Sequence, residues 1–112
     1  MHEADALSFE YEIVASVTSG AAALEAAARL NPDAVVLDIS MPGMTGLDVA
    51  EELRKADSKA AIVFLTVHED EEFVRAATAA GGLGYVVKSQ LAIDLKRALE
   101  AALAGRPFRS RF

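Results

Sequence analysis

Apolar positions along the chain follow two spacings in turn, and each change of spacing marks a boundary between a strand and a helix. Residues 34–37, 61–67 and 84–88 are short apolar runs rich in β-branched side chains, which is typical of strands buried on both faces. Residues 7–17 alternate between apolar and polar side chains, which predicts a strand with one solvated face, best supported over residues 12–17. The pattern therefore predicts four strands.

Four helices follow these strands in turn. Their apolar side chains recur every three or four residues over about 20–30, 46–55, 68–80 and 89–104. Ser19, Thr45 and Ser89 are placed to cap three of them, because a hydroxyl there accepts a hydrogen bond from an otherwise unpaired N–H. Strands that alternate with helices predict an α/β fold, a parallel sheet with helices on both faces. Residues 106–112 are left over as a tail or the start of a linker.

Composition limits the class of protein. With 112 residues the chain has room for one domain, 1–112, and one core. No apolar run approaches the roughly 20 residues of a membrane span. The chain has no cysteine and no signal-peptide pattern, so we expect a soluble cytoplasmic protein without disulfides or a thiolate metal site. Its formal charge of −6 disfavours direct binding to nucleic acid.

Three polar residues, Asp38, Thr66 and Lys88, end three successive predicted strands. Neighbouring parallel strands lie about 4.8 Å apart and their carboxyl ends share one edge of the sheet, so we expect the three side chains to converge. Together they suit a phosphoryl group attached to the acid, because the lysine neutralises phosphoryl oxygens and the threonine donates a hydrogen bond. Taken alone, the stretch around Asp38 is equally compatible with a capping or solvent-facing acid.

Three motifs in order make the chain resemble the receiver domain of a two-component response regulator, of the branch with a LuxR-type helix-turn-helix output. The motifs are PDAVVLDISMPGMTGLD, FLTVHEDE and AGGLGYVVK, and the resemblance extends over about residues 12–108. The resemblance implies a flavodoxin-like fold with a set of functional residues: Asp38 as the phosphoacceptor, Thr66 as the switch hydroxyl, Tyr85 as the switch aromatic and Lys88 as the phosphate-binding lysine.

The resemblance also implies a partner and a cofactor. In this family the phosphohistidine of a histidine kinase donates to the aspartate with magnesium present. Asp38 and the backbone carbonyl of Ser40 match protein ligands of that ion. Thr66 and Tyr85 would then move inward and remodel the surface around the last two strands and the last helix.

One part of the family pattern has no counterpart in the sequence. The family begins with a central strand that ends in an acidic pair holding the magnesium, and nothing before Glu12 matches it. We therefore expect an N-terminally truncated fold in which magnesium is bound weakly. Glu3 and Asp5 are poor substitutes for the pair because no strand frames them.

The missing elements would uncover apolar surface on the final helix. An exposed apolar patch usually marks an association site, which predicts a homodimer, with exchanged elements as one possible form. We expect the contact to include Leu95, Leu99 and Leu103.

Two functions from different classes remain open. The chain is either a phosphorylatable receiver that acts as a signalling switch, or a receiver-like interaction module that cannot take up phosphate and works by dimerising. Acidic side chains near Asp38 would favour the first, and an empty or occluded pocket the second. A small enzyme of the same fold, such as a phosphatase, is disfavoured because the sequence shows no second catalytic acid.

Overall fold

Strands and helices alternate in the structure, a computed structural model that describes residues 19–40 and 43–112. The elements of this part are α1 Gly20–Leu30, β1 Ala34–Asp38, α2 Gly46–Lys55, β2 Ala61–Thr66, α3 Glu71–Ala79, β3 Gly84–Val87, α4 Leu91–Leu103 and β4 Phe108–Arg109. A 3₁₀ turn, Lys88–Gln90, joins β3 to α4. No helix of the described part has both the length and the apolar character needed to cross a bilayer.

The strands form one parallel sheet in the order β1-β2-β3-β4. Asp38 lies opposite Leu65, and Thr66 lies opposite Val87, so the ends of β1, β2 and β3 are nearly level. Because consecutive parallel strands are joined by crossover helices, all three carboxyl ends meet at one edge. The sheet therefore brings the ends of three motif-bearing strands together.

Helices cover both faces of the sheet, as the sequence predicts. On one face, α4 packs buried side chains against β2 and β3; the cluster contains Val63, Leu65, Val86, Leu95, Ala98, Leu99 and Ala102. On the other face, α1, α2 and α3 enclose a cluster that includes Leu37, Val49, Phe64, Ala77 and Tyr85. The side chains of each strand alternate between these two clusters, which is why the strands are apolar throughout. The predicted α/β, flavodoxin-like architecture is confirmed.

The predicted tail is wrong in one respect, because part of it belongs to the sheet. β4 pairs Gly84 with Phe108 and Tyr85 with Arg109, and Ser110 beyond it is 1% exposed. A two-residue strand is too short to show any periodicity in a sequence. The other sequence-predicted strand, residues 12–17, lies outside the described residues.

The cap prediction for the last helix is also wrong. Ser89 lies inside the 3₁₀ turn, and α4 begins at Leu91 after Gln90, whose side chain makes no capping bond. Ser19 does cap α1, accepting a hydrogen bond from the N–H of Ala22 at 3.2 Å. The difference arises because β3 ends inside the core and the chain must turn before a helix can start.

The expected dimer contact on α4 needs correction. Leu95 and Leu99 are 1% and 3% exposed and pack against Val63 and Val86 of the same chain, so they cannot present a surface to a partner. Leu103 is 45% exposed. The stripe that the sequence shows on this helix is the face that covers the sheet.

Removing the cap of α2 should weaken the fold measurably. Thr45 Oγ1 accepts a hydrogen bond from the N–H of Asp48, and the Asp48 carboxylate accepts one from the N–H of Thr45, both at 3.2 Å. We expect Thr45→Ala to lower the free energy of unfolding by about 1 kcal/mol. Urea unfolding measures the change, and Thr78→Ala is the matched control because Thr78 is an exposed threonine in the last turn of α3. An equal loss in both variants would show that the capping box contributes nothing specific.

Candidate functional site

The site is built around Asp38, the last residue of β1. Its carboxylate is held from two sides: Lys88 Nζ contacts Oδ2, and the N–H of Ser40 donates to Oδ1 at 2.9 Å. Asp38 and Lys88 are only partly exposed, with 28% and 37% of their side chains accessible. The carboxylate therefore lies partly accessible at the edge of the sheet, with one cation and one N–H fixing its orientation.

Lys88 reaches Asp38 across one intervening strand. β1 and β3 are two strand spacings apart, roughly 10 Å, and the long lysine stem bridges that distance over the end of β2. The contact between these two predicted site residues is therefore present in the structure. An ammonium group next to a carboxylate at a strand edge is placed to neutralise charge that is added to the carboxylate.

Thr66 lies at the same edge but makes its hydrogen bond elsewhere. Its side chain is buried, 1% exposed, and Oγ1 accepts a hydrogen bond from the N–H of His68 at 3.0 Å. A hydroxyl also has one proton to donate. Thr66 can therefore keep its bond to His68 while its proton is directed at one other acceptor, and a group attached to Asp38, at the end of the neighbouring strand β1, is one such acceptor.

Tyr85 is buried on β3 and contacts the loop 67–70 that connects β2 to α3. The residue is 4% exposed, and its hydroxyl donates to the carbonyl of His68 at 2.8 Å. Burial raises the pKa of the Tyr85 phenol, and the side chain of Thr66 opposes that rise as a hydrogen-bond partner. In the structure both residues, Thr66 and Tyr85, are already buried.

The backbone of His68 was missed by sequence reasoning, although it joins the two switch residues. Its N–H binds Thr66 and its carbonyl binds Tyr85. The His68 ring stacks on Phe73 with centroids 4.0 Å apart. A backbone that serves as donor and acceptor leaves no mark on the residue type, so only its position two residues after Thr66 could have suggested it.

Replacing the Tyr85 hydroxyl should cost stability and change the response to alkali. Tyr85→Phe leaves the His68 carbonyl without this donor, so we expect a loss of about 1 kcal/mol in the free energy of unfolding. Because burial raises the pKa of Tyr85, its contribution is complete below the ordinary tyrosine pKa of about 10 and is lost as the pH rises through the higher value of the folded state. Urea unfolding from pH 7 to 11 should therefore show a smaller alkaline decline in the variant; parallel declines would contradict this.

The described residues supply few ligands for a metal ion. They contain no group of three His, Cys, Asp or Glu side chains placed to hold one. At the site itself they offer the carboxylate of Asp38 and the backbone carbonyl of Ser40, which is the other predicted magnesium ligand. Magnesium takes oxygen ligands and is often held by one or two carboxylates together with waters and phosphate oxygens, so these two groups fit part of such a site.

The chain matches the family model described as the response regulator receiver domain over residues 5–100. It is 38% identical over 93 residues to the nitrate/nitrite response regulator protein NarL of Escherichia coli K12, covering 83% of this chain and 43% of that protein. It is 40% identical over 94 residues to the regulator NarP of the same strain, covering 84% and 42%. The chain thus spans less than half the length of these relatives.

Solved structures of receiver domains have the same fold. The signal receiver domain of the putative response regulator NarL from Mycobacterium tuberculosis has a TM-score of 0.87 at 29% identity, over 93% of this chain and 86% of that one. A LuxR-family two-component response regulator from Aurantimonas has a TM-score of 0.83 at 36% identity, over 88% and 70%. Both similarities extend over most of the chain.

Proposed function

Because the chain belongs to the family of response regulator receiver domains, we propose that it accepts a phosphoryl group on Asp38 and acts as a signalling switch. The observation that carries the proposal is the contact of Lys88 Nζ with the Asp38 carboxylate at the sheet edge. Receiver domains interact with histidine kinases, and we propose a histidine kinase as the donor for this chain. Its own role is that of a phosphoacceptor rather than an enzyme.

The geometry suggests how transfer to Asp38 would proceed. A carboxylate oxygen of Asp38 forms a bond to phosphorus as the bond from phosphorus to the donor nitrogen breaks, and the donor imidazole keeps the electron pair. Lys88, already at Oδ2, then neutralises phosphoryl oxygens, while the N–H of Ser40 keeps its bond to Oδ1. Thr66 would redirect its hydroxyl proton from the Tyr85 oxygen to a phosphoryl oxygen and keep its bond to the N–H of His68.

Receiver domains generally bind magnesium, which when bound neutralises charge on the transferring phosphoryl oxygens. Asp38 and the carbonyl of Ser40 are the groups that would hold it here. We propose that this chain binds the ion weakly, because the described residues contain no group of three His, Cys, Asp or Glu side chains placed to hold a metal ion. The acids that precede them, Glu3, Asp5, Glu10 and Glu12, do not form the adjacent pair of the family pattern.

The change at Asp38 would be passed on through the 67–70 loop. Thr66 and Tyr85 hold the two backbone groups of His68. A Thr66 hydroxyl that turns to a phosphoryl group gives up its hydrogen bond with Tyr85, and this changes the support of one of the two side chains that fix the loop. The loop leads into α3, so the surface of α3 would change with it. We propose that this change controls association, with a homodimer as the product.

A second candidate function is an interaction module that dimerises without phosphate. It is favoured by the incomplete set of metal ligands in the described part of the chain and by the Lys88 contact that already occupies Asp38. Either function requires only one domain in a cytoplasmic protein. The formal charge of −6 argues against direct binding to nucleic acid by this domain.

Incubation with acetyl phosphate at millimolar magnesium, followed by intact-mass measurement, tests the proposal. We expect labelling that depends on Asp38 and is slower than that of a receiver domain with the acidic pair by roughly tenfold or more, since bound metal contributes several kcal/mol. Asp38→Asn should not be labelled. Asp33→Asn, an exposed acid just before β1, is the matched control and should be labelled like the wild type.

Each other outcome has a definite meaning. A folded wild type that stays unlabelled would refute the phosphoacceptor role and support the interaction module, which light scattering would then show as a phosphate-independent dimer. Labelling as fast as in the comparison domain would refute weak magnesium binding while leaving Asp38 as the acceptor.

A further inference from the structure

The ammonium group of Lys88 lies at the site, but the backbone of Lys88 lies just outside β3. β3 ends at Val87, one residue earlier, and Lys88 itself starts the 3₁₀ turn that leads to α4. A lysine at the end of a strand has four rotatable side-chain bonds, so its direction depends on how firmly the backbone beneath it is held. In this chain, the residues on both sides of Lys88 are held by the C-terminal segment 108–112.

Val87, the residue before Lys88, is hydrogen-bonded to Ser110. The Oγ of Ser110 accepts a hydrogen bond from the N–H of Val87 at 3.2 Å and donates one to Asp94 Oδ2 at 2.7 Å. Ser110 and Asp94 are 1% and 6% exposed. Because the hydroxyl proton of Ser110 is directed at Asp94, the lone pairs of Oγ are available to accept from the N–H of Val87.

On the other side of Lys88, Gln90 is hydrogen-bonded to Arg111, the next residue of the segment. Gln90 Nε2 donates to the carbonyl of Arg111 at 2.6 Å. The 3₁₀ turn that carries Lys88 is therefore fastened at its start by Ser110 and at its end by Arg111. These two bonds bracket the lysine within four residues.

The segment is itself fixed in register along β3. The N–H of Phe108 donates to Leu83 O and that of Ser110 donates to Tyr85 O, each at 2.9 Å. Arg109 makes a two-pronged ion pair with Glu71, which lowers the pKa of that carboxyl through its hydrogen bond to the guanidinium, and lies 4.5 Å from the centre of the Phe112 ring. A segment anchored at four successive residues can hold a neighbouring turn in place.

We propose that Ser110 is a positioning residue for the phosphoryl site, which holds Lys88 against Asp38 through the Val87 N–H. The inference rests on the proposed function, since Lys88 matters to transfer only if Asp38 is the acceptor. Ser110 touches neither Asp38 nor the phosphoryl group. Its effect on the reaction passes entirely through the backbone of Val87 and Lys88.

A double-mutant cycle in labelling rate by acetyl phosphate separates positioning from general damage. Ser110→Ala removes the acceptor of Val87, so we expect roughly tenfold slower labelling of Asp38, because small displacements of a charged group reduce its effect steeply. In a Lys88→Ala background the same change should have no further effect, since no lysine is left to position. An equal slowing in both backgrounds would overturn the proposal.

Two further variants keep the test decisive if Ser110→Ala unfolds the protein. Gln90→Ala removes only the bond to Arg111 and should slow labelling by a smaller factor, again only when Lys88 is present. Ser89→Ala is the matched control, because Ser89 is an exposed serine next to Lys88, and it should be labelled at the wild-type rate. Wild-type labelling by both Ser110→Ala and Gln90→Ala would overturn the proposal.

A structural measurement distinguishes failure of this inference from failure of the proposed function. The nuclear Overhauser contact between the Lys88 ε-protons and the Asp38 β-protons should weaken in Ser110→Ala and persist in Ser89→Ala, whether or not Asp38 is ever phosphorylated. If no variant is labelled, the phosphoacceptor role fails and this contact alone decides positioning. An undiminished contact in folded Ser110→Ala would overturn the positioning role.

Discussion

Lys88→Ala should slow the labelling of Asp38 by acetyl phosphate by roughly a hundredfold, the typical loss when a preorganised electrostatic group is removed from a transfer site. Lys88 is the cation in contact with the Asp38 carboxylate in the structure, with 37% of its side chain accessible. Its loss leaves charge on the phosphoryl oxygens without this counter-charge as transfer proceeds. The labelling rate at fixed magnesium, followed by intact mass, measures the effect.

Two controls show whether the charge at this position is the cause. Lys88→Arg keeps a cation of different shape and should recover part of the rate. Lys59→Ala removes another exposed lysine, which is paired with Asp57, and should leave the rate unchanged. Labelling of Lys88→Ala at the wild-type rate would show that the contact with Asp38 has no part in transfer.

Gly46→Ala should destabilise the protein by about 3 kcal/mol, the upper part of the range for an overpacked site. A Cβ at this position would lie 2.4 Å from the carbonyl oxygen and 2.9 Å from the carbonyl carbon of Asp38, which are backbone atoms that cannot rotate away. The N–H of Gly46 also donates to Ile39 O at 3.0 Å, so the first turn of α2 is joined to the chain just after β1.

The expected loss of stability is opposite in sign to the effect that helix propensity alone predicts. In a helix, alanine is ordinarily more favourable than glycine by about 1 kcal/mol, so propensity alone predicts stabilisation. Urea unfolding measures the change, and Glu51→Ala on the exposed face of α2 serves as the control. We also expect Gly46→Ala to reduce labelling of Asp38, because relief of the clash must displace the acceptor loop. A stability gain in Gly46→Ala would show that α2 does not pack on Asp38 as described.

The strands that lead to Asp38, Thr66 and Lys88 could be predicted because each is a short, continuous apolar run with a polar residue at or just after its end. A strand buried on both faces needs apolar side chains in both directions, so its composition alone is enough to identify it. The same holds for the cap of α2, where Thr45 and Asp48 have the three-residue spacing of a capping box. These features depend on residues close together in the sequence.

The relation of Thr66 and Tyr85 to His68 could not be predicted in the same way. Thr66 was identified from its place at a strand end, and the switch roles of both residues came from the family resemblance. Their shared partner is a backbone unit whose residue type is irrelevant to the bonds that it makes. Likewise Leu95 and Leu99 form an apolar stripe, and a stripe does not reveal whether a sheet or another chain covers it. The structure shows that the sheet does.

By itself, the sequence determined the alternation of strands and helices, the edge at which Asp38, Thr66 and Lys88 meet, and the family to which the motifs point. Only the tertiary structure decided that residues 108–109 form a fourth strand and that Ser110 and Asp94 hold the turn beneath Lys88. The physical reason is range. Periodicity and caps record contacts within a few residues. The residues that β4 pairs with β3 are 24 positions apart, and the bonds of Ser110 join groups 16 and 23 positions apart, so their meeting depends on the folded sheet.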